Sequence, residues 1–266
     1  PERCVTKDGV RIACAGSRQV GLRIGESAGR TLPGQRELKR VVCEMGGKNA
    51  VIVDSDADLD EAIVDSIYSA FGYQGQKCSA LSRLIVLDEN YDRVIKRLVE
   101  AAASLRVGNP EEPGITVGPV IDETAYRRMQ ETIEAGKSEA TLAFQGRDLP
   151  AEGYFIPPTI FTDVKPTMRL SCEEIFGPVL SVIRVRNLDE AIRVANDTDY
   201  ALTAGFFSRS PANIERVKAE LVAGNVYINR SCTGAVVGRH PFGGFKMSGG
   251  GTKAGGCDYL LQFLVP

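Results

Sequence analysis

Short apolar segments alternate with amphipathic segments along most of this chain, and this alternation limits the folds that it can adopt. Residues 50–53 are apolar and are followed by a segment of helical period over 59–71. The same order recurs after residues 84–87 and again at 179–185, where 188–195 supplies the helix. Apolar strands joined through helices are typical of parallel sheets. We therefore predict an α/β fold, with a mostly parallel sheet and flanking helices.

The last third of the chain carries clear signals for the ends of its elements. Ser210 followed by Pro211 predicts the start of a helix, because a serine cap and a proline at the first position both suit a helix N-terminus. Gly224 is predicted to end that helix. Strands are predicted at residues 201–207 and 225–229.

Residues 259–264 are mostly apolar and are predicted to form a strand near the end of the sequence. A strand at the edge of a sheet has unpaired backbone groups that can pair with another chain. We therefore expect this segment to favour self-association.

Charge and cysteine content narrow the function classes. The 266 residues include 32 basic and 34 acidic ones, which gives a formal net charge of −2 at pH 7. This balance gives no reason to expect nucleic acid or a membrane surface as a partner. The seven cysteines are scattered without a Cys-x-x-Cys pair, which disfavours a metal site and a disulfide framework. A reducing, cytoplasmic setting fits this pattern.

Two motifs carry residues suited to chemistry through a thioester. Cys78 lies in Gly-Gln-Lys-Cys-Ser, and Glu44 opens Glu-Met-Gly-Gly-Lys. A thiolate is a nucleophile, and a buried carboxylate with a raised pKa can take a proton from water near neutral pH. For an arbitrary pair, the alternative is a buried apolar thiol and a surface carboxylate. A Cys–His hydrolase is a further alternative, and it requires the single histidine, His240, to fold onto Cys78.

Five glycine-bearing blocks together resemble those of the aldehyde dehydrogenase superfamily. They follow the order of that superfamily along the chain, at residues 44–48, 75–78, 153–159, 174–178 and 241–249. The resemblance implies an aldehyde dehydrogenase catalytic domain and the oxidation of an aldehyde to a carboxylic acid.

Within that superfamily, the chain is most similar to the 1-pyrroline-5-carboxylate dehydrogenases. The similarity rests on Ser79, on the loop at 233–239 and on the tail at 251–256. It implies oxidation of L-glutamate γ-semialdehyde to L-glutamate through a cysteine thiohemiacetal and a thioacyl intermediate, in proline catabolism. Two alternatives stay open, namely a dehydrogenase for another carboxylate-bearing aldehyde and a non-catalytic assembly module.

The resemblance also implies a role for each residue in the matching motifs. Cys78 would be the nucleophile, and Glu44 would be the base that activates the deacylating water. The residues implied to bind the cofactor are Gly16, Ser17, Gly46, Glu174 and Phe176. The residues implied to bind the substrate are Ser79, Gly234, Ala235 and Phe242. No metal is expected.

Members of this family are longer than this chain, and the resemblance implies a division into three parts. Residues 1–43 would be a remnant of the dinucleotide-binding domain, 44–250 the catalytic domain, and 251–266 a C-terminal segment that makes oligomer contacts. The implied cofactor is NAD, with NADP left open, and we expect weak binding because most of the cofactor domain is absent from the chain. The expected partners are a small aldehyde and, in a longer parent protein, further copies of the same chain.

Overall fold

A seven-stranded sheet forms the centre of the computed structural model, which describes residues 11–264. Its strands, in chain order, are β3 (Asn49–Val53), β4 (Leu81–Leu87), β5 (Thr141–Gln145), β6 (Thr159–Thr162), β7 (Val179–Val185), β9 (Thr203–Phe207) and β10 (Asn225–Ile228). Their order across the sheet is β10-β9-β3-β4-β7-β6-β5. Every neighbouring pair is parallel except β5 and β6. The predicted mostly parallel α/β sheet is confirmed.

Helices cover both faces of this sheet. They are α2 (Leu59–Phe71), α3 (Tyr91–Ala103), α4 (Glu123–Glu139), α5 (Arg169–Cys172), α6 (Leu188–Asn196) and α7 (Pro211–Glu220). One core cluster packs α4, α6 and α7 against one face, and a second packs α2 and α3 against the other. The central strands β3 and β4 are therefore buried on both sides, which explains their continuous apolar sequences.

A second, smaller sheet holds the N-terminal part of the described chain. It contains β1 (Arg11–Ala15), β2 (Arg40–Glu44) and β12 (Gly249–Gly250), with β1 parallel and β12 antiparallel to β2. Helix α1 (Arg18–Gly29) covers this sheet through its apolar face. The predicted domain boundary between residues 43 and 44 remains a prediction. β12, which belongs to the predicted catalytic domain of residues 44–250, pairs with β2 in the small sheet.

The start of α7 agrees with the prediction, and its end does not. The Ser210 side chain accepts a hydrogen bond from the Asn213 N–H, and Pro211 is the first helical residue. The helix ends at Glu220, before Gly224. A Cβ on Gly224 would lie 1.9 Å from the Gly243 carbonyl oxygen, so glycine is needed there because two backbone segments approach closely.

Two strand predictions need correction. The predicted strand 201–207 is split at Leu202 into β8 (Tyr200–Ala201) and β9, and β8 pairs with β11 (Phe245–Lys246) instead of joining the large sheet. The predicted strand 259–264 is instead a short 3-10 helix over Leu260–Phe263. Tyr259 and Phe263 stack edge to face with ring centroids 5.4 Å apart, a contact that helical spacing allows.

No helix of the described residues is long and apolar enough to span a membrane.

Candidate active site

The glycines of three sequence motifs bring their backbones together beside Cys78. The Gly47 N–H donates to Glu174 Oε1 at 3.0 Å, and a Cβ on Gly46 would lie 1.9 Å from Glu174 Oε2. A Cβ on Gly75 would lie 2.3 Å from the Gly177 carbonyl oxygen. Side chains at these glycines would therefore displace the motifs from one another.

The turn that carries Cys78 contains strained backbone. Tyr73, Gln74 and Gly75 have φ angles of 58°, 56° and 65°, which places three consecutive residues in the left-handed region. Non-glycine residues adopt this conformation at a cost, and such strain is concentrated at functional sites. The strained turn connects α2 to the segment that carries Cys78.

Asn49 fixes the backbone on both sides of the nucleophile. Its side-chain amide donates to the carbonyl oxygens of Cys78 and Ala80, each at 2.8 Å, and its Oδ1 accepts from the Thr203 N–H at 3.0 Å. Asn49 is buried, so these bonds form away from solvent. One side chain thereby holds β3, β9 and the Cys78 turn together.

The resting Cys78 side chain is a thiol, because burial raises its pKa. The backbone N–H groups of Ser79 and Cys78 oppose this shift, whereas the negative charges of Glu174 and Glu44 add to it. The thiol must therefore lose its proton before or during attack on a substrate. The Gly47 backbone, whose N–H binds Glu174, lies close to the Cys78 turn, since a Cβ on Gly47 would be 2.8 Å from the Cys78 carbonyl oxygen.

Glu44 ends β2 with a carboxyl group suited to proton transfer at neutral pH. Burial raises its pKa to about 7, against a smaller lowering by the Gly244 N–H. Its Oε2 atom is buried without a hydrogen-bond partner among the described residues. A Cβ on Gly243 would lie 3.0 Å from Oε1, so glycine leaves space beside the carboxylate. This arrangement can accept a proton from a water molecule placed between Glu44 and Cys78.

Lys48 and Arg83 are two buried basic residues near Glu174. Lys48 is 1% exposed, and its Nζ has no hydrogen-bond partner within the described part of the chain. Burial, with the nearby charge of Arg83, lowers its pKa to about 7, while Glu174 acts in the opposite direction. The Arg83 guanidinium donates to the carbonyl oxygens of Lys48, Val194 and Ala195, each at 2.9 Å. Arg83 thus anchors the Glu-Met-Gly-Gly-Lys segment to α6.

The remaining residues predicted to bind a cofactor lie around this centre. Phe176 has a φ of 53° and is 40% exposed, two residues after Glu174. A small cavity of about 20 Å³ has Gly47, Glu174 and Phe176 among its lining residues. The Gly16 N–H donates to the Glu44 carbonyl oxygen at 3.0 Å, and the Ser17 side chain caps α1. The turn at Gly16 is therefore attached directly to Glu44.

The predicted substrate residues fall into two groups. Ser79 is buried, and its Oγ lies 2.7 Å from Thr233 Oγ1, which joins the nucleophile segment to the loop containing Gly234 and Ala235. Gly234 has a φ of 78°, with open space where a Cβ would be. Phe242 is half-buried and exchanges backbone hydrogen bonds with Ala254.

The alternative of a Cys–His pair concerns His240. Its side chain accepts a hydrogen bond from the Val236 N–H and stacks against Tyr227, which gives no support to a pair with Cys78.

Asn49, Lys48 and Arg83 have no role in the predictions from the motifs. Arg83 lies in the mostly apolar strand β4, Lys48 directly precedes β3 and Asn49 begins it, so charge or polarity at a buried position was the available signal. Within residues 11–264, no group of three or more His, Cys, Asp and Glu side chains is arranged to hold a metal. A cavity of about 1080 Å³ between the end of α3 and β5 includes none of the predicted site residues. Glu44, Lys48 and Glu174, whose pKa values are shifted by burial, lie instead in the motif cluster, which is therefore the candidate site.

Comparison with known proteins identifies the family of this chain. The aldehyde dehydrogenase family model matches residues 3–265. Over 250 residues the chain is 51% identical to 1-pyrroline-5-carboxylate dehydrogenase of Geobacillus kaustophilus, covering 94% of this chain and 48% of that protein. The chain therefore spans about half the length of the curated relatives that it matches.

Solved structures give the same result. Proline utilization A from Bdellovibrio bacteriovorus has a TM-score of 0.96 at 56% identity, covering 98% of this chain and 27% of that one. A 1-pyrroline-5-carboxylate dehydrogenase from Thermus, solved with bound NAD, has a TM-score of 0.92 at 50% identity. That match covers 95% of this chain and 49% of that one.

Proposed function

This chain belongs to the aldehyde dehydrogenase family, and we propose that it is the catalytic half of a longer enzyme that oxidises L-glutamate γ-semialdehyde to L-glutamate. The observation that carries the proposal is the cluster of Cys78, Glu44 and Glu174, held by glycines that leave no space for a side chain. The names and roughly 50% identity of the relatives support this substrate.

Cys78 is proposed to attack the aldehyde carbon and form a thiohemiacetal. The proton of its thiol must leave, and the backbone N–H groups of Cys78 and Ser79 favour the resulting thiolate. Asn49 holds the carbonyl groups on both sides of this turn, so the sulfur keeps its orientation during attack. Such positioning contributes to rate because the reacting atoms are held close to the geometry of attack.

Residues suited to holding NAD surround the nucleophile. Glu174 is proposed to bind the nicotinamide ribose, because its carboxylate is held in place. It accepts a hydrogen bond from the Gly47 N–H and lies against Gly46, which has no side chain. Gly16 and Ser17 at the start of α1 suit a phosphate group, since helix N-termini attract anions. Gly46 keeps space open beside Glu174, and Phe176 is proposed to pack near the ring. NAD, or NADP in its place, would supply the hydride acceptor that turns the thiohemiacetal into a thioester.

Glu44 is proposed to complete the reaction by taking a proton from water. The resulting hydroxide attacks the thioester carbon, L-glutamate leaves, and Cys78 is regenerated. A carboxyl group with a pKa of about 7 is half ionised at neutral pH and can return the proton to solvent between turnovers.

Selectivity is proposed to come from the carboxylate of the substrate. The Ser79 hydroxyl and the backbone N–H groups of Gly234 and Ala235 can bind an anion, since small residues leave the backbone accessible. Phe242 would pack on the aliphatic part of the substrate.

The longer enzyme is also proposed to self-associate. Leu260, Leu261 and Leu264 are 71%, 61% and 58% exposed. A group of exposed apolar side chains in one short segment suits a subunit contact. Light scattering of the full-length enzyme tests this, and a monomer at every concentration would contradict it.

Substrate choice tests the main proposal. We expect the full-length enzyme to form NADH from L-glutamate γ-semialdehyde with a higher kcat/KM than from propanal, which lacks the carboxylate. Equal values for the two aldehydes would contradict the carboxylate site and favour another aldehyde. Absence of turnover with both would favour an assembly module.

A further inference from the structure

We propose that Cys14 and Cys43 form a reversible disulfide when hydrogen peroxide oxidises the protein. Their Sγ atoms lie 3.1 Å apart in the reduced protein. Neither thiol has a part in the proposed oxidation of an aldehyde, so this inference does not rest on the proposed function.

The two cysteines occupy directly paired positions on neighbouring parallel strands, β1 and β2. Neighbouring strands lie about 4.7–4.9 Å apart, and disulfide-linked residues have Cα atoms about 4.4–6.8 Å apart. The strands therefore already have a compatible separation. The sulfur atoms need to approach by roughly 1 Å to reach bonding distance, which side-chain rotation can provide.

The two thiols differ in exposure, and this difference assigns them to different steps of the oxidation. Cys14 is partly exposed at the margin of the cluster under α1, so peroxide reaches it first. Cys43 is buried, with its sulfur 4.0 Å from the Gly21 carbonyl oxygen. Burial, with the neighbouring Cys14 group, raises the pKa of Cys43 to about 12, so it remains a thiol until its partner is oxidised.

The chemistry balances in two steps. The Cys14 thiol reacts with one molecule of hydrogen peroxide to give a sulfenic acid and one water. The Cys43 sulfur then attacks the Cys14 sulfur, the S–O bond breaks, and the departing hydroxyl leaves as a second water with the Cys43 proton. A cellular thiol reverses the link by exchange.

The position of the pair gives the link a structural consequence. Cys43 directly precedes Glu44, and Cys14 lies two residues before Gly16, whose N–H donates to the Glu44 carbonyl oxygen. A disulfide would cross-link β1 to β2 one residue from this hydrogen bond on the β2 side and two residues from it on the β1 side. Oxidation should therefore slow hydrogen exchange at the Gly16 amide, and reduction should restore it.

Peptide mapping of the full-length enzyme tests the inference. The reduced protein is treated with hydrogen peroxide, the remaining thiols are blocked with N-ethylmaleimide under denaturing conditions, and the protein is digested with trypsin. Cleavage after Arg11, Arg18, Arg40 and Lys48 releases the two cysteines in peptides 12–18 and 41–48. We expect these peptides as one linked species, two hydrogens lighter than their sum, which a thiol reductant separates.

Two variants serve as controls. Cys14→Ser, at the partly exposed position, should abolish the linked species and leave Cys43 labelled by the maleimide. Cys43→Ala should leave Cys14 without a partner, so that it proceeds to sulfinic acid. The exposed thiol of Cys172 reports the effective dose of peroxide.

Recovery of both peptides with maleimide, at a dose that oxidises Cys172, would overturn the proposal. So would a linked species that migrates as a dimer on a non-reducing gel, because it would join two chains.

Discussion

At the residue scale, the environment of Glu44 determines how activity should depend on pH. Glu44 is partly buried, its buried Oε2 atom lacks a hydrogen-bond partner within the described residues, and burial raises the pKa of the carboxyl group to about 7. The raised pKa means that the folded protein favours the protonated form, which cannot accept a proton from water. As the proposed base, Glu44 is therefore expected to be active above pH 7 and to lose this activity as the pH falls through that value.

We predict that the rate of thioester hydrolysis falls about tenfold per pH unit below pH 7, since one group must be ionised. Single-turnover experiments with preformed acyl-enzyme measure this rate without titration of the free thiol. The Glu44→Gln variant should show a low rate without this inflection. A hydrolysis rate that stays constant from pH 8 to pH 5 would exclude Glu44 as the base.

Asn49 offers a second test at this scale, because its role is to position the Cys78 turn. Asn49→Ala leaves the carbonyl oxygens of Cys78 and Ala80 without their donors, and each unsatisfied buried group costs about 1–3 kcal/mol. We predict a loss of stability in urea and a change of several fold in the rate at which iodoacetamide alkylates Cys78.

Asn90 supplies the matched control. Its buried amide also donates to two carbonyl oxygens, those of Asp54 and Ser55, each at 2.8 Å. Asn90→Ala should cost a similar free energy of unfolding and leave the alkylation of Cys78 unchanged. Equal effects of both variants on alkylation would mean that Asn49 contributes to stability and does not specifically position the Cys78 turn.

At the scale of elements, the turn between α2 and Cys78 depends on Gly75. Its φ of 65° and the close Gly177 carbonyl oxygen both exclude a side chain. We predict that Gly75→Ala destabilises the protein by more than about 1–2 kcal/mol, the cost of left-handed backbone alone, and sharply lowers kcat. Urea unfolding and steady-state kinetics measure the two effects.

Gly25→Ala is the corresponding control in α1, where a Cβ would meet nothing within 4 Å. It should stabilise the protein by about 0.5–1 kcal/mol, because alanine favours helix over glycine. A Gly75→Ala variant as active and stable as Gly25→Ala would contradict the close packing of the motifs.

The sequence predicted those elements whose signals are local. The Ser210 cap with Pro211 and the apolar runs of β3, β4 and β7 depend on neighbouring residues, and the structure confirms them. Long-range contacts were not predictable in this way. Gly224 resembles a helix terminator, and only the approach of Gly243 shows why glycine is required there.

The same limit applies to the site. The motifs predicted roles for Cys78, Glu44 and Glu174, but the hydrogen bonds of Asn49 join it to partners 29 and 154 residues away in sequence. Likewise, the C-terminal segment has a composition that suits a strand, whereas the contact of Tyr259 with Phe263 favours a helical turn.

At the scale of the whole molecule, the chain covers about half of its relatives, and the cofactor is proposed to need the rest. The small sheet and α1 contain Gly16 and Ser17, whereas most of the adenosine pocket is proposed to lie in the preceding part of the longer enzyme. We predict that the 266-residue chain binds NAD more weakly than the full-length enzyme in calorimetric titrations. Equal affinities would contradict the proposed division, provided that circular dichroism shows both proteins folded.

The most direct test of the central claim is rapid mixing of the full-length Glu44→Gln variant with NAD and L-glutamate γ-semialdehyde. We predict a burst of NADH equal to the number of active sites, because Cys78 still forms the thioester. Steady turnover should then be slower than that of the unchanged enzyme by about 100-fold or more, since the base is missing. Cys78→Ala should show no burst. Unimpaired steady turnover in Glu44→Gln, or a burst in Cys78→Ala, would contradict the assignment of these two residues.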